Sequence, residues 1–88
     1  MTDPTPAAPV APQLGEEELA RLDALSYEDA REQLGQVVRE LESGGAGLAE
    51  SLVLWQRGEK LAQVCQARLD GARALVESAR QQGTESAG

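Results

Sequence analysis

The sequence predicts an all-α protein: an antiparallel, coiled-coil-like two-helix hairpin whose second helix is the longer one. Three observations carry this prediction. Apolar residues recur at three- and four-residue steps in two segments, a glycine-rich stretch at residues 44–47 separates these segments, and all four prolines lie before residue 13. A period of about 3.6 residues is typical of an amphipathic helix, and Gly and Pro are the residues that most strongly interrupt regular structure.

The first 24 residues are predicted to form a disordered arm. Four prolines interrupt any helix at its start, and few apolar groups are present to offset the entropy of ordering. A short helix can form at 16–24, where three acidic residues precede two leucines spaced three apart. The predicted organisation is therefore an arm at 1–24, a helical hairpin at 25–78 and a flexible polar tail at 79–88.

The first helix of the hairpin is predicted to begin after Ser26. The hydroxyl of Ser26 can cap the helix, and the acidic residues Glu28 and Asp29 favour its positive end. Gly44 and Gly45 stop the helix, because Gly takes left-handed backbone angles without penalty. The apolar face consists of Tyr27, Ala30, Leu34, Val37, Val38 and Leu41.

The second helix is predicted over residues 48–78. Its seam alternates three- and four-residue steps, as in a coiled coil. At ~1.5 Å rise per residue this helix is about 45 Å long against about 25 Å for the first, so half of its apolar face stays bare unless another helix covers it. The seam comprises Leu48, Leu52, Trp55, Gly58, Ala62, Cys65, Leu69, Ala72 and Val76, and a second stripe beside it comprises Leu54, Leu61, Val64 and Leu75.

Composition limits the ways in which so short a chain can be stabilised. It has 88 residues, no histidine and a single cysteine, Cys65. An internal disulfide and a structural zinc site are therefore both excluded. Small domains that lack these devices usually depend on association. We expect the partners to be helices of another protein or further copies of this chain.

The charge balance argues against direct nucleic-acid binding. The net charge is −7, from 15 acidic and 8 basic residues, whereas DNA binding relies on Lys and Arg to neutralise phosphates. The N-terminus has neither the basic region nor the apolar core of a signal peptide. The longest run of large apolar residues, 52–55, is far shorter than the ~20 residues of a membrane-spanning helix. We expect a cytoplasmic protein that binds neither nucleic acid strongly nor membranes.

The sequence predicts no catalytic residue, no cofactor and no metal site. Glu28, Asp29 and Glu32 could supply metal ligands on one helical turn, but a solvated N-terminal turn is the simpler interpretation. Cys65 has no base beside it in the sequence pattern and fits a small apolar position. The glycines at 44–47 lack the strand and the Lys of a phosphate-binding loop.

Gly58 and Trp55 indicate a packed surface on the second helix. Gly inside a helix costs about 1 kcal/mol relative to Ala, so close packing or a slight kink is expected at Gly58. Trp is frequent among interface hot spots, and Trp55 is either hairpin core or an interface anchor. The basic residues of this helix either line a solvated face or meet an acidic partner helix. The predicted partner-binding residues are Leu52, Trp55, Gly58, Leu61, Ala62, Cys65, Leu69, Ala72 and Val76.

An ordered series of short motifs spans residues 25–77. The motifs are Leu25-Ser26-Tyr27-Glu28-Asp29-Ala30, Leu41-Glu42-Ser43-Gly44, Leu48-Ala49-Glu50-Ser51-Leu52, Trp55-Gln56-Arg57-Gly58, Leu61-Ala62 and Cys65. This series resembles the small subunit of bacterial exodeoxyribonuclease VII. The chain departs from that family at the turn, which lacks Pro, at Trp55, where the family commonly has Tyr, and in residues 1–24, which the family core does not require.

The resemblance implies a noncatalytic subunit of an enzyme that degrades single-stranded DNA to oligonucleotides. The active site belongs to the large catalytic subunit, and several small subunits are expected to pack along a long helical region of that partner. On this interpretation the acidic first helix faces solvent, and the wide apolar face of the second helix faces the large subunit.

Two other functions are open from the residues alone. A self-associating helical scaffold or adaptor without a nuclease partner would cover the whole stripe with copies of itself. An autonomous nuclease or DNA-binding module would have salt-sensitive affinity for single-stranded DNA, against which the net charge argues.

Overall fold

The structure is a computed structural model that describes the backbone of residues 13–87 and the side chains of residues 13–83. Within these residues the chain forms three helices and no strand: α1 (Glu16–Asp23), α2 (Tyr27–Ser43) and α3 (Leu48–Ala87). The all-α class is confirmed, and the prediction of two helices is corrected to three. Residues 1–12 of the predicted disordered arm lie outside the described residues.

Helix α1 occupies the part of the predicted arm where a short helix can form. Its first turn holds Glu16, Glu17 and Glu18, which favour the positive end of the helix dipole. Eight residues are too few for a stable isolated helix. Tertiary contact supplies the additional stability that α1 needs, since Leu22 is buried in the core.

Two ion pairs join α1 to α3. Arg57 pairs with Glu18, and the Nζ atom of Lys60 lies 3.2 Å from Oδ1 of Asp23. Part of the basic side of α3 therefore contacts an acidic helix. The sequence analysis considered an acidic helix of a partner, but the helix in contact here belongs to the same chain.

Arg68 of α3 holds the C-terminal end of α1. Its Nη2 donates a hydrogen bond to the backbone carbonyl of Asp23 at 2.7 Å, and its Nε donates to the carbonyl of Leu25 at 3.0 Å. The last carbonyls of a helix have no partner within the helix, so a guanidinium is well suited to this position. At the other end of α1, the backbone N–H of Leu14 donates to Oε1 of Gln56 at 3.0 Å.

Helix α2 begins and ends where its capping residues require. The Ser26 hydroxyl accepts a hydrogen bond from the backbone N–H of Asp29 at 3.1 Å, which satisfies one of the four unpaired donors of the first turn. At the other end Gly44 has φ of 74°, and its N–H donates to the carbonyl of Leu41 at 3.3 Å. Both predicted boundaries agree with the structure.

Helix α3 is longer than predicted. It has 40 residues and therefore rises about 60 Å. It continues through most of the segment predicted as a flexible tail. Residues 79–82 are good helix formers, and the largest unfavourable contribution, from Gly83, is about 1 kcal/mol relative to Ala. In the part of the chain that the structure describes, no helix has an apolar stretch long enough to cross a membrane.

The buried core draws side chains from all three helices. Helix α3 contributes three residues of the second stripe, Leu54, Leu61 and Val64, whereas the fourth, Leu75, is exposed. From the seam, Cys65 packs against this core. Leu61 has no exposed surface. The core consists of Leu22, Ala30, Val37, Leu54, Leu61 and Val64.

Gly58 lies where α2 packs on α3. A Cβ built at this position would stand 3.4 Å from Cγ1 of Val37 and 3.8 Å from Cδ1 of Leu34. Both distances correspond to side-chain contact. The close neighbours of Gly58 are therefore side chains of α2 rather than a second backbone, and a methyl group fits between them.

Leu22→Ala should release α1 from α3. The substitution removes the buried anchor of a helix that is too short to persist alone, at a cost of about 2 kcal/mol or more. Hydrogen–deuterium exchange should then be fast in residues 13–24 and unchanged in α2. Glu17→Ala, on the exposed side of α1, is the matched control. Unchanged protection of α1 in Leu22→Ala would contradict the anchoring role.

Gly58→Ala should raise the free energy of unfolding by about 0.5–1 kcal/mol, because the helix gains intrinsic propensity and the new methyl group only touches Val37. Gly58→Leu should lower it by about 1–3 kcal/mol, because the larger side chain displaces α2. Urea denaturation followed by far-ultraviolet circular dichroism measures both. A destabilised Gly58→Ala variant would show that the packing tolerates no Cβ.

Candidate partner-binding surface

An open apolar groove runs between α2 and α3, on the side of α3 that its own core residues do not face. It encloses about 190 Å³. Trp55 is the largest side chain in it and is 58% exposed. One wall comes from α2 and the other from α3, and the lining residues are Leu34, Val37, Val38, Leu41, Trp55, Gly58, Glu59 and Ala62.

Helical geometry explains why this groove is uncovered. Successive residues of a helix are about 100° apart, so Trp55 follows the buried Leu54 and points away from the core. Ala62 follows the buried Leu61 in the same way. Because Trp55 and Ala62 are seven positions apart, they share one face of α3.

The distal part of α3 is exposed in the described structure. Arg68 hydrogen-bonds the end of α1 and its linker, and the residues beyond it, 69–83, which we name the α3 projection, are all exposed. Leu75 is 74% exposed and Val76 57% exposed. A shallow hollow of about 350 Å³ on this segment is lined by Leu69, Ala72, Arg73, Val76, Glu77 and Arg80.

Eight of the nine predicted partner-binding residues fall into three groups in the structure, and Leu52 lies apart from them. Trp55, Gly58 and Ala62 line the groove. Leu69, Ala72 and Val76 lie on the α3 projection, and Leu52 is exposed one turn before Trp55. The third group, Leu61 and Cys65, packs inward.

Leu61 and Cys65 pack inward on α3. Leu61 is fully buried, and Cys65 is partly buried against the same core. Both belong to the face of α3 that α1 and α2 cover, so their predicted contact with a partner would require α1 or α2 to move aside.

The predicted partner-binding residues include none from the α2 wall of the groove. Val38 is 42% exposed and lines the groove beside Leu34 and Leu41. The sequence carries a signal for this exposure: Val37 and Val38 are adjacent, so both cannot face the same core. Val37 is buried, and Val38 is exposed.

The polar candidates of the sequence analysis lie apart from this groove. Glu28 and Glu32 line a shallow hollow on the outer side of α2 together with Arg31 and Arg39, and the backbone N–H of Asp29 serves the helix cap. Among the described residues, no three His, Cys, Asp or Glu side chains stand close enough to hold a metal ion. The candidate binding surface of the described residues is therefore the apolar groove between α2 and α3.

Comparison with known proteins identifies relatives of this chain. Residues 27–78 match the family described as Exonuclease VII small subunit. The exodeoxyribonuclease 7 small subunit of Streptomyces coelicolor is 58% identical over 64 residues, which are 73% of each chain. The protein of the same name from Cutibacterium acnes is 49% identical over 81 residues, which are 91% of this chain and 90% of that one. No solved structure matches significantly.

The family match includes all of α2 and continues along α3 to Ser78, so it contains both walls of the groove. It begins at Tyr27 and leaves α1 outside. The match covers more than half of the chain, and the Streptomyces relative is aligned over nearly three quarters of it. The chain belongs to the exonuclease VII small-subunit family.

Proposed function

We propose that this chain is the noncatalytic small subunit of an exodeoxyribonuclease VII and that it binds the large catalytic subunit through the groove between α2 and α3. The observation that carries the proposal is the uncovered apolar groove around Trp55 in a member of this family. The complex would degrade single-stranded DNA to oligonucleotides, with the chemistry in the large subunit.

The shape of the groove favours a helix as the bound element. Two packed helices leave a furrow between them, and an amphipathic helix can place its apolar face there. Trp55 and Ala62 are separated by about 10 Å along α3, which is two turns of a helix lying alongside. The contact can continue from Ala62 to Leu69, one further heptad along the same face.

Trp55 is the expected centre of the binding free energy. Burial of an exposed aromatic side chain contributes more than that of any other residue type in the groove, since each Å² of apolar surface is worth about 25 cal/mol. Interface hot spots are enriched in Trp and lie in desolvated pockets. Val38 and Leu41 flank Trp55 on the α2 side and would exclude water from it.

We assign DNA contact to the large subunit. Arg57 and Lys60 are paired with acidic residues of α1, and Arg68 binds backbone carbonyls at the end of α1. These basic side chains are therefore engaged within the chain. Together with the net charge of −7, this engagement supports a small subunit that acts through protein contact rather than through phosphates.

Ala62→Glu and Trp55→Glu should abolish binding to the large subunit. Each would bury an unpaired carboxylate, at a cost of several kcal/mol. The test is co-purification of the large subunit with an affinity-tagged small subunit after joint expression. Leu69→Glu, one heptad beyond Ala62 on the same face, should abolish complex formation in the same way, and normal assembly of that variant would contradict the assignment of this face.

Ala67→Glu is the matched control for these substitutions. Ala67 is exposed, lines neither the groove nor the hollow on the α3 projection, and lies about 140° around α3 from Ala62. The control should bind the large subunit normally, and circular dichroism should show equal helix content in all variants. Normal recovery of the large subunit with Trp55→Glu and Ala62→Glu would refute the assignment of the groove.

A further inference from the structure

The α3 projection carries an apolar stripe that no other described residue of the chain covers. Leu69 is 39% exposed, Leu75 74% and Val76 57%, and Ala72 lies between them on the same side of the helix. Covering this stripe with a second helix would remove apolar surface from water. The charges beside the stripe indicate which helix fits.

Four charged residues follow one edge of the stripe. In order they are Asp70, Arg73, Glu77 and Arg80. At 3.6 residues per turn they fall within a sector of about 80°. Their signs alternate, and their spacing is symmetric about Leu75: Arg73 and Glu77 stand two positions to either side, and Asp70 and Arg80 stand five.

We propose that the α3 projections of two copies of this chain pair antiparallel about a two-fold axis near Leu75. In an antiparallel helix pair, residues on one edge of the stripe face the same edge of the partner helix. A two-fold axis at Leu75 then places Arg73 near Glu77 of the second copy, and Asp70 near Arg80 of the second copy. Each pair occurs twice, so four contacts of opposite charge form together.

The remaining features of the α3 projection agree with this pairing. Gly71 and Ser78, on the other edge of the stripe, are uncharged, so no repulsion opposes it. The Arg80–Glu77 pair within the helix, at 3.8 Å, leaves both side chains more than half exposed, and both can reach a second copy. Parallel pairing would instead set the four charges beside the opposite edge of the second copy, where Gly71 and Ser78 are uncharged and form no ion pair.

The expected dimer is weak and sensitive to salt. The overlap, residues 69–81, is about 20 Å long and gives an interface at the small end of the range for specific complexes. Exposed ion pairs are screened as the salt concentration rises. This inference does not rest on the proposed function, because the axis near Leu75 and all four charges lie beyond Leu69, the last residue proposed to contact the large subunit.

The test uses charge reversal in the full-length chain, with association measured by analytical ultracentrifugation over a range of concentrations. The unmodified chain should form a dimer in a concentration-dependent manner. Arg73→Glu and Glu77→Arg should each weaken self-association roughly tenfold or more, because the two-fold axis doubles the effect of every substitution. Circular dichroism of each variant monitors the helix.

An equimolar mixture of the Arg73→Glu and Glu77→Arg chains provides the decisive comparison. Neither chain pairs well with itself, but each is complementary to the other, so the mixture should form a heterodimer. The double variant Arg73→Glu/Glu77→Arg should again pair with itself, which excludes loss of folding as the cause. A monomeric unmodified chain, or reversals that leave association unchanged, would overturn the proposal. Neither result would bear on Trp55→Glu and the large subunit.

Discussion

The length of α3 is the constraint on which the rest of the structure depends. Helix α3 has 40 residues and α2 has 17, which correspond to about 60 Å and about 25 Å of rise. No hairpin of these two helices can cover α3, and its apolar residues continue beyond Arg68 to Val76. Because burial of apolar surface is the main favourable term in folding, the isolated chain leaves part of that free energy unrealised. Association with other helices recovers it.

The apolar face of α3 is also too wide to be covered by α1 and α2. Adjacent residues are about 100° apart on a helix, so the pairs Leu54–Trp55 and Leu61–Ala62 each place one residue inward and the next outward. The inward members complete a core with α1 and α2. The outward members form a second apolar face on the same helix, and that face is the α3 wall of the groove.

Local chemistry made part of this fold predictable. The Ser26 cap and the left-handed Gly44 follow from residue type and immediate neighbours, and both are present. Which stripe of α3 faces inward was not predictable, because both stripes satisfy a helical period. The choice depends on α1, which is held by contacts such as that from Arg68 to the Asp23 carbonyl, 45 residues apart in sequence. The extension past Ser78 was missed because an isolated Gly83 only weakens a helix.

Helix α1 also determines which face of α3 is available to a partner. A helix directed at Leu61 would have to displace α1, exposing Leu22 and breaking the hydrogen bonds of Arg68. A helix directed at Trp55 meets no such cost, because that side is already open. Specificity is a difference between two binding free energies. On the proposed function, the acidic segment outside the family match would favour binding at the groove, because it raises the free-energy cost of binding at Leu61.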